Sequence, residues 1–424
     1  MTRRPTTRGP SRRAVLAGLG AALVVAGCAA RPEKKGAPPS PAPTAFAHPW
    51  GPSPAEVDAA TRTAAAMSPE AVAGQVIVGR LHGTDPREAA ELVTDLHLAG
   101  VMITGSSVAS LKQVRALSAG VHAAVTADRR DWPGLVSTDN EGGAVQRMSG
   151  DEGPWTTFPP FAVAGRAPAD VVTRAYAAMA GELRASGVTV DWAPVADVTV
   201  PGQDVTIGSR SAGADPARVA GTVVAAVEGF RDGGVLPAVK HFPGHGSLTT
   251  DSHEALPVQD APAAALGAHD LPPFRAAVDA GVPMVMMGHV DVAAWEPGVP
   301  ASVSPAAYRV LREDLGFSGV AVTDSLGMGA LGVVGGPGEI AVAALQAGAD
   351  LLLNPADNGA AHAAVVAALE DGRLDRDRVD EAAGRVIAML RHQGELAGGA
   401  GPVGPADVGS AADAAAALRE AGAA

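Results

Sequence analysis

From about Glu56 onward, short apolar runs alternate with longer stretches in which apolar positions return every three or four residues. Short runs bounded by glycine read as buried strands of a parallel sheet, and the helical period marks segments that pack one face against it. Eight strand runs are predicted: Gly74–Gly79, Gly100–Thr104, Gly134–Thr138, Val188–Trp192, Leu236–Lys240, Val282–Met287, Gly319–Thr323 and Ala349–Leu353. Between them lie helical stretches such as Ala89–Leu98, Ala169–Ser186, Pro216–Asp232, Leu271–Ala280, Ser304–Leu315 and Gly338–Ala347. A last amphipathic stretch, Asp375–Gln393, carries Val379, Ala382, Val386, Ile387 and Leu390 on one stripe. Eight βα units close most simply into a single α/β domain, a (β/α)8 barrel of the TIM type over residues 56–395, sealed by that last helix. An open doubly wound sheet is the alternative, but no Gly-x-Gly-x-x-Gly opens the first helix. Residues 396–424 are rich in Ala and Gly and read as a frayed tail with one weak helix near Ala411–Ala421, not a second domain.

The first residues follow a different pattern. Arg3, Arg4, Arg8, Arg12 and Arg13 precede an apolar stretch from Ala14 to Ala26, too short to span a bilayer but suited to a signal-peptide core. Ser11-Arg12-Arg13-Ala14-Val15-Leu16 resembles a twin-arginine export signal, and Val25-Ala26-Gly27-Cys28 resembles a lipobox. The expectation is a signal segment over 1–28, a lipid on Cys28, a Pro- and Ala-rich tether over 29–55, and anchorage to the outer face of the cell membrane. Cys28 is the only cysteine, which excludes a disulfide framework and a cysteine metal site. A net charge of −13 provides no basic stripe to replace phosphate counterions, so nucleic acid is not an expected partner. Nothing calls for a cofactor, and a monomer is expected.

Chemistry concentrates where the predicted strands end. Asp139 and Glu141 follow the third run, Asp191 and Asp197 surround the fourth, Lys240 and His241 come after the fifth on the loop at its end, His289 and Asp291 follow the sixth, and Asp324 follows the seventh. Arg147 and Arg210 lie on adjacent loops. In a barrel of this type the strand carboxyl ends form the active mouth. The stretch Lys240 to His253 is the densest, with a lysine, three histidines and an aspartate, while the chain's other lysines are only Lys34, Lys35 and Lys112. Carboxylates, a lysine and histidines around one mouth suit a ligand rich in hydroxyls.

Six motifs carry a resemblance. Asp139-Asn-Glu-Gly-Gly-Ala-Val-Gln-Arg147, Asp191-Trp-Ala-Pro-Val-Ala-Asp197, Ile207-Gly-Ser-Arg-Ser211, Lys240-His-Phe-Pro-Gly-His-Gly246, Asp251-Ser-His253 and Thr323-Asp-Ser-Leu-Gly-Met328 occur in the order seen in family 3 glycoside hydrolases. They resemble its β-N-acetylhexosaminidase branch over roughly residues 65–354. The resemblance implies a retaining exo-hydrolase acting on terminal β-linked N-acetylhexosamine of peptidoglycan or chitin fragments, with Asp324 as nucleophile and His253 as acid/base partnered by Asp251. It places Asp139, Arg210, Lys240 and His241 on the terminal sugar, with Arg147 orienting Asp139 or reaching the ligand. An imidazole has its ordinary pKa near 6.5 and exchanges protons near neutral pH. Gly244 and Gly246 give its loop freedom to move. Glu141, His245 and His289 read as structural, and Met286 and Met287 as core. Two departures stand out: Ser325 and Ser209 occupy positions where family members more often carry carboxylates.

Rival readings remain at this stage. A β-glucosidase or an N-acetylglucosaminide phosphorylase is nearest, because a neutral base repels a phosphate acceptor less than a carboxylate does. A non-catalytic sugar-binding lipoprotein is a second. A metal-dependent amidohydrolase is a third, although its usual His-x-His after the first strand is missing.

Overall fold

A computed structural model describes residues 51–148, 153–204, 206–396 and 408–423. The expected signal segment with Cys28, the tether up to residue 50 and tail residues 397–407 lie outside the described residues. Among the described residues no helix is long and apolar enough to cross a membrane.

All eight strand runs are present, as β1 (Ile77–Arg80), β2 (Gly100–Ile103), β3 (Leu135–Thr138), β4 (Val190–Asp191), β5 (Leu236–Phe242), β6 (Met284–Met287), β7 (Val320–Thr323) and β8 (Leu352–Leu353). Every adjacent pair is parallel, in the order β7-β6-β5-β4-β3-β2-β1-β8. The two ends of that order meet. Val322 bridges Leu351, the Thr323 amide donates to the Leu351 carbonyl at 3.0 Å, and the Asp350 amide donates to the Ala321 carbonyl at 2.8 Å. Closure makes the sheet a barrel and removes the doubly wound alternative. Residues of β2, β3, β5, β6 and β7 are buried throughout, on both faces, which is why these runs begin apolar without alternation and turn polar only toward the carboxyl ends of β3, β5 and β7.

Proline opens the helices that begin at residues 54, 69, 86, 216, 272, 305 and 337, where its missing N–H costs nothing and its fixed φ suits the first turn. Three of these starts refine the sequence reading. The helix Pro54–Ala65 carries a capping box between Ser53 and Glu56, so this helix starts slightly before residue 56. Ser68 caps the helix Pro69–Gln75, so Gly74 and Gln75 belong to a helix and β1 starts only at Ile77. The predicted helix Ser304–Leu315 is α-helical over Pro305–Arg309 and continues as a wider π turn over Val310–Asp314.

The helix expected in the tail is present as Ala412–Ala423, and it buries Ala415, Leu418 and Gly422 against the barrel's outer layer. An alanine-rich sequence gives a weak periodic signal, yet small side chains allow close backbone approach.

Candidate active site

The carboxyl ends of the strands hold a pocket of about 540 Å³ lined by Asp139, Glu141, Arg147, Arg210, Lys240, His241, His245, His253 and Asp324. A second lobe of about 840 Å³ shares Asp139, Arg147, His253 and Asp324 and adds Arg80, Thr104, Ser325 and Asn354. The predicted sugar-binding and catalytic residues thus face one cavity, and Asp251 reaches it through His253. Another pocket, at the opposite barrel end near Val282, Phe317 and Val320, is apolar and offers no comparable chemistry.

Lys240 and His241 sit inside β5, which runs on to Phe242, and not on the loop after it. Strand alternation would send neighbouring side chains to opposite faces, yet both line the pocket. The backbone is irregular at that point: the Lys240–His241 peptide bond is cis, and the pairing of β5 with β6 shifts register between Val239 and Phe242.

Charge is balanced closely around Lys240. Its Nζ lies 2.8 Å from Asp139 Oδ1 and 2.6 Å from Glu141 Oε1. Glu141 also accepts from Arg210 Nε and Nη2, both at 2.8 Å. Burial pushes the Glu141 carboxyl up, but Lys240 and Arg210 outweigh it and bring it down to about 2. Glu141 therefore holds the two cations in place, as the sequence reading supposed. An ammonium has three donors, so Lys240 keeps one for a ligand, and Asp139 keeps Oδ2 as an acceptor. The Arg147 amide donates to the Asp139 carbonyl at 3.2 Å, while its side chain lines both lobes.

Asp324 follows β7, and its amide donates to the Met287 carbonyl at 2.9 Å. Burial raises this carboxyl, but His241, His289, the Ser325 amide and Lys240 overcome it and hold it at about 2. It is an anion at neutral pH, aimed into the pocket. Ser325, which stands where relatives often have a second carboxylate, donates its amide to Asp324 at 2.7 Å and accepts from Asn354 Nδ2 at 2.9 Å.

Across the cavity, His253 Nδ1 lies 2.8 Å from Asp251 Oδ1, and its amide donates to the same oxygen at 2.9 Å. Burial nudges the Asp251 carboxyl up, but the two hydrogen bonds from His253 hold it below its ordinary range. An ionised carboxylate only accepts, so Nδ1 carries a proton and Nε2 is left for the pocket. The loop is fastened on both sides. The amides of Gly329 and Ala330 donate to the carbonyls of His253 and Ser252, each at 3.1 Å, and Ser252 Oγ lies 3.0 Å from His245 Nε2. His289 bridges Ser302 Oγ and the Ser325 carbonyl at 2.7 and 2.9 Å, matching its structural reading.

Three residues carry weight that sequence reasoning did not assign. Asp197 grips His241 Nδ1 at 2.7 Å and accepts the His245 amide at 2.7 Å, tying both histidines to the end of β4. Asp191 is fully buried, its carboxyl raised well above the usual range by burial, and it accepts the Asn140 amide at 2.8 Å. Asp204 accepts the amides of Thr206 and Ile207 at 3.0 and 2.8 Å and that of Gly208, organising the Arg210 loop from one turn upstream of Ser209. No motif spacing signals these contacts, because each links elements far apart in the chain or is a local turn. Among the described residues no group of three or more His, Cys, Asp or Glu is arranged to hold a metal ion.

This geometry meets an independent match. The glycosyl hydrolase family 3 N terminal domain fits residues 70–389. The chain belongs to glycosyl hydrolase family 3. The family segment spans every barrel strand and every proposed site residue except Cys28. Among curated family relatives, Beta-hexosaminidase LpqI of Mycobacterium tuberculosis is 35% identical over 334 residues, covering 77% of this chain and 83% of the relative. A beta-hexosaminidase of Stenotrophomonas maltophilia is 37% identical over 264 residues, covering 60% of this chain and 76% of the relative. Among solved family structures, a β-N-acetylglucosaminidase from Paenibacillus superposes with a TM-score of 0.78 at 34% identity, over 84% of this chain and 69% of that one. The structure of M. tuberculosis LpqI matches with a TM-score of 0.69 at 34% identity, over 78% of this chain and 96% of that one.

Proposed function

We propose that this family 3 hydrolase is a retaining exo-β-N-acetylglucosaminidase that removes a terminal, non-reducing β-linked N-acetylhexosamine. The observation that carries this reading is the opposition of an ionised Asp324 and a His253–Asp251 pair across a pocket floored by Asp139, Lys240, Arg210 and His241. The names borne by its relatives point to the same acetamido sugars.

In the first half-reaction a carboxylate oxygen of Asp324 bonds to the anomeric carbon as the bond to the aglycone oxygen breaks. Protonated His253 gives its Nε2 proton to that departing oxygen. In the second half, neutral His253 takes a proton from water, whose oxygen displaces Asp324 from the anomeric carbon and restores both groups. Asp251 steadies the imidazolium each time it forms. The remaining donor of Lys240 and the free oxygen of Asp139 bind sugar hydroxyls. The lobe beyond Asp324, toward Arg80 and Asn354, is left for the aglycone, supplied by peptidoglycan or chitin fragments.

Phosphorolysis is a second reading, favoured by a base that is uncharged after proton loss and by the arginines Arg80 and Arg147 beside the nucleophile. Rates of release from aryl N-acetylglucosaminide and glucoside, with and without phosphate, separate the alternatives. Asp324→Ala is expected to lower kcat about a thousandfold or more with unchanged circular dichroism; near-parental turnover would refute the assignment. The twin-arginine-like segment and Cys28 support export and lipid anchoring to the outer face of the membrane, with the barrel acting as a monomer. On that reading Cys28→Ser moves the protein from the membrane fraction to the soluble one.

A further inference from the structure

The helix Ala412–Ala423 lies beyond the family segment 70–389, and no step of the reaction calls on it. Its docking is nonetheless specific. Gly422 packs so near the helix Phe161–Ala164 that a Cβ there would lie 2.4 Å from the Val163 carbonyl oxygen. At its start, the Ala411 amide donates to Glu182 Oε1 at 2.9 Å. The same buried carboxylate accepts from the Thr156 amide at 2.9 Å and the Thr156 hydroxyl at 2.7 Å. Further along, the Arg419 guanidinium donates to the Thr157 carbonyl.

From Thr156 the bonds continue inward. Gln146 donates its side-chain amide to the Thr156 carbonyl at 2.8 Å and accepts from the Phe158 amide at 2.9 Å, while the Gly143 amide donates to the Phe158 carbonyl at 3.0 Å. Gln146 and Gly143 belong to the antiparallel hairpin that follows β3 and that carries Asp139, Glu141 and Arg147 into the pocket. Gly142, at φ 91°, is pressed against the Pro159 carbonyl, where a Cβ would lie 2.4 Å from its oxygen. The segment Thr156–Pro160 is thus clamped between the C-terminal helix on one side and the pocket hairpin on the other.

We propose that the C-terminal helix is a positioning element of the sugar pocket. Through Glu182 and Thr156–Phe158 it fixes the hairpin, and the hairpin sets where Asp139, Glu141 and Arg147 meet the terminal sugar. The kinetic consequence rests on the glycosidase reading: loss of the helix weakens ground-state sugar binding more than it slows chemistry at Asp324.

The test removes residues 408–424 from the otherwise full-length protein and compares KM, kcat, melting temperature and amide hydrogen exchange. KM for an aryl N-acetylglucosaminide is expected to rise about tenfold while kcat stays within about twofold, the range of coupling transmitted through packed networks. Exchange is expected to quicken across residues 138–148 but not across β7. A synthetic peptide of residues 408–424 added in trans should restore KM. A lower melting temperature with unchanged KM and unchanged exchange in the hairpin would mean that the helix only adds stability, and would overturn the proposal. If the shortened chain does not fold, Arg419→Ala in the full chain takes its place: a raised KM partly restored by Arg419→Lys supports the proposal, and an unchanged KM refutes it. If the parental protein hydrolyses no N-acetylglucosaminide, the glycosidase reading has failed, and the exchange comparison alone decides the positioning role.

Discussion

Glu141 shows how a buried charge is used to aim others. Its carboxylate sits among Lys240, Arg210 and the hairpin backbone with almost no exposure, so removing it leaves the Arg210 guanidinium without its carboxylate and Lys240 with Asp139 alone. Glu141→Gln is expected to cost about 3–5 kcal/mol of stability and to raise KM, both measurable on the full-length protein. The pH dependence follows from the same contacts. With its folded value near 2 and an ordinary value of 4.5, Glu141 contributes stability that is fully present above about pH 4.5 and lost as pH falls toward 2. Melting temperature plotted against pH should therefore drop more steeply below pH 4.5 for the parental protein than for Glu141→Gln; parallel curves would show that Glu141 is not the anion holding the cluster. Asp324, held at about 2, keeps its charge at moderately acid pH, so its protonation does not limit activity there.

At the scale of elements, the loop carrying His253 and the loop that follows Asp324 hold each other. Gly329 donates to the His253 carbonyl, and a Cβ at Gly329 would come within 2.7 Å of that same oxygen. Gly329→Ala is expected to loosen this contact and displace His253. Rates for substrates with poor leaving groups, which need the proton most, should fall about tenfold or more, while those for activated aryl glycosides change little. Equal losses for both would mean that the loop contact does not place His253 for the proton transfer proposed for it. Much of this site is legible in the sequence, because Asp324, Lys240 and Asp251-Ser-His253 each fall at a strand end or on one loop, where apolar periodicity stops and polar residues begin. What periodicity misses is pairing across the chain. Asp197 beneath His241, the convergence of Lys240 and His241 on one pocket, and the docking of an alanine-rich helix on Glu182 depend on three-dimensional closure that no local pattern records.

At the scale of the whole molecule, the seam that closes the barrel carries one buried carboxylate at the far end from the pocket. Asp350, fully buried just before β8, accepts the Ala321 amide of β7 at 3.0 Å, Arg378 at 2.7 Å and Arg385 at 3.0 Å from the helix Arg376–Leu396, and Arg312 from the π turn before β7. Burial raises this carboxyl, but Arg385, Arg312 and Arg378 more than reverse the effect and hold it well below the carboxylate range. One side chain thus ties the first and last strands of the sheet order to the sealing helix, at the seam where Val322 meets Leu351. Removing it leaves three guanidinium groups in a space built for an anion, an arrangement that costs about 3–5 kcal/mol when a buried pair loses one partner. Asp350→Ala is therefore expected to lower the melting temperature by several degrees and to shift the denaturant midpoint to lower concentration. Because Asp350 precedes β8 while the pocket lies past the strand ends, the fraction that remains folded should keep its kcat and KM. A variant that melts like the parent would show that the seam is held by packing alone. One that loses turnover while still folded would show that strain at the barrel floor reaches Asp324 through β7.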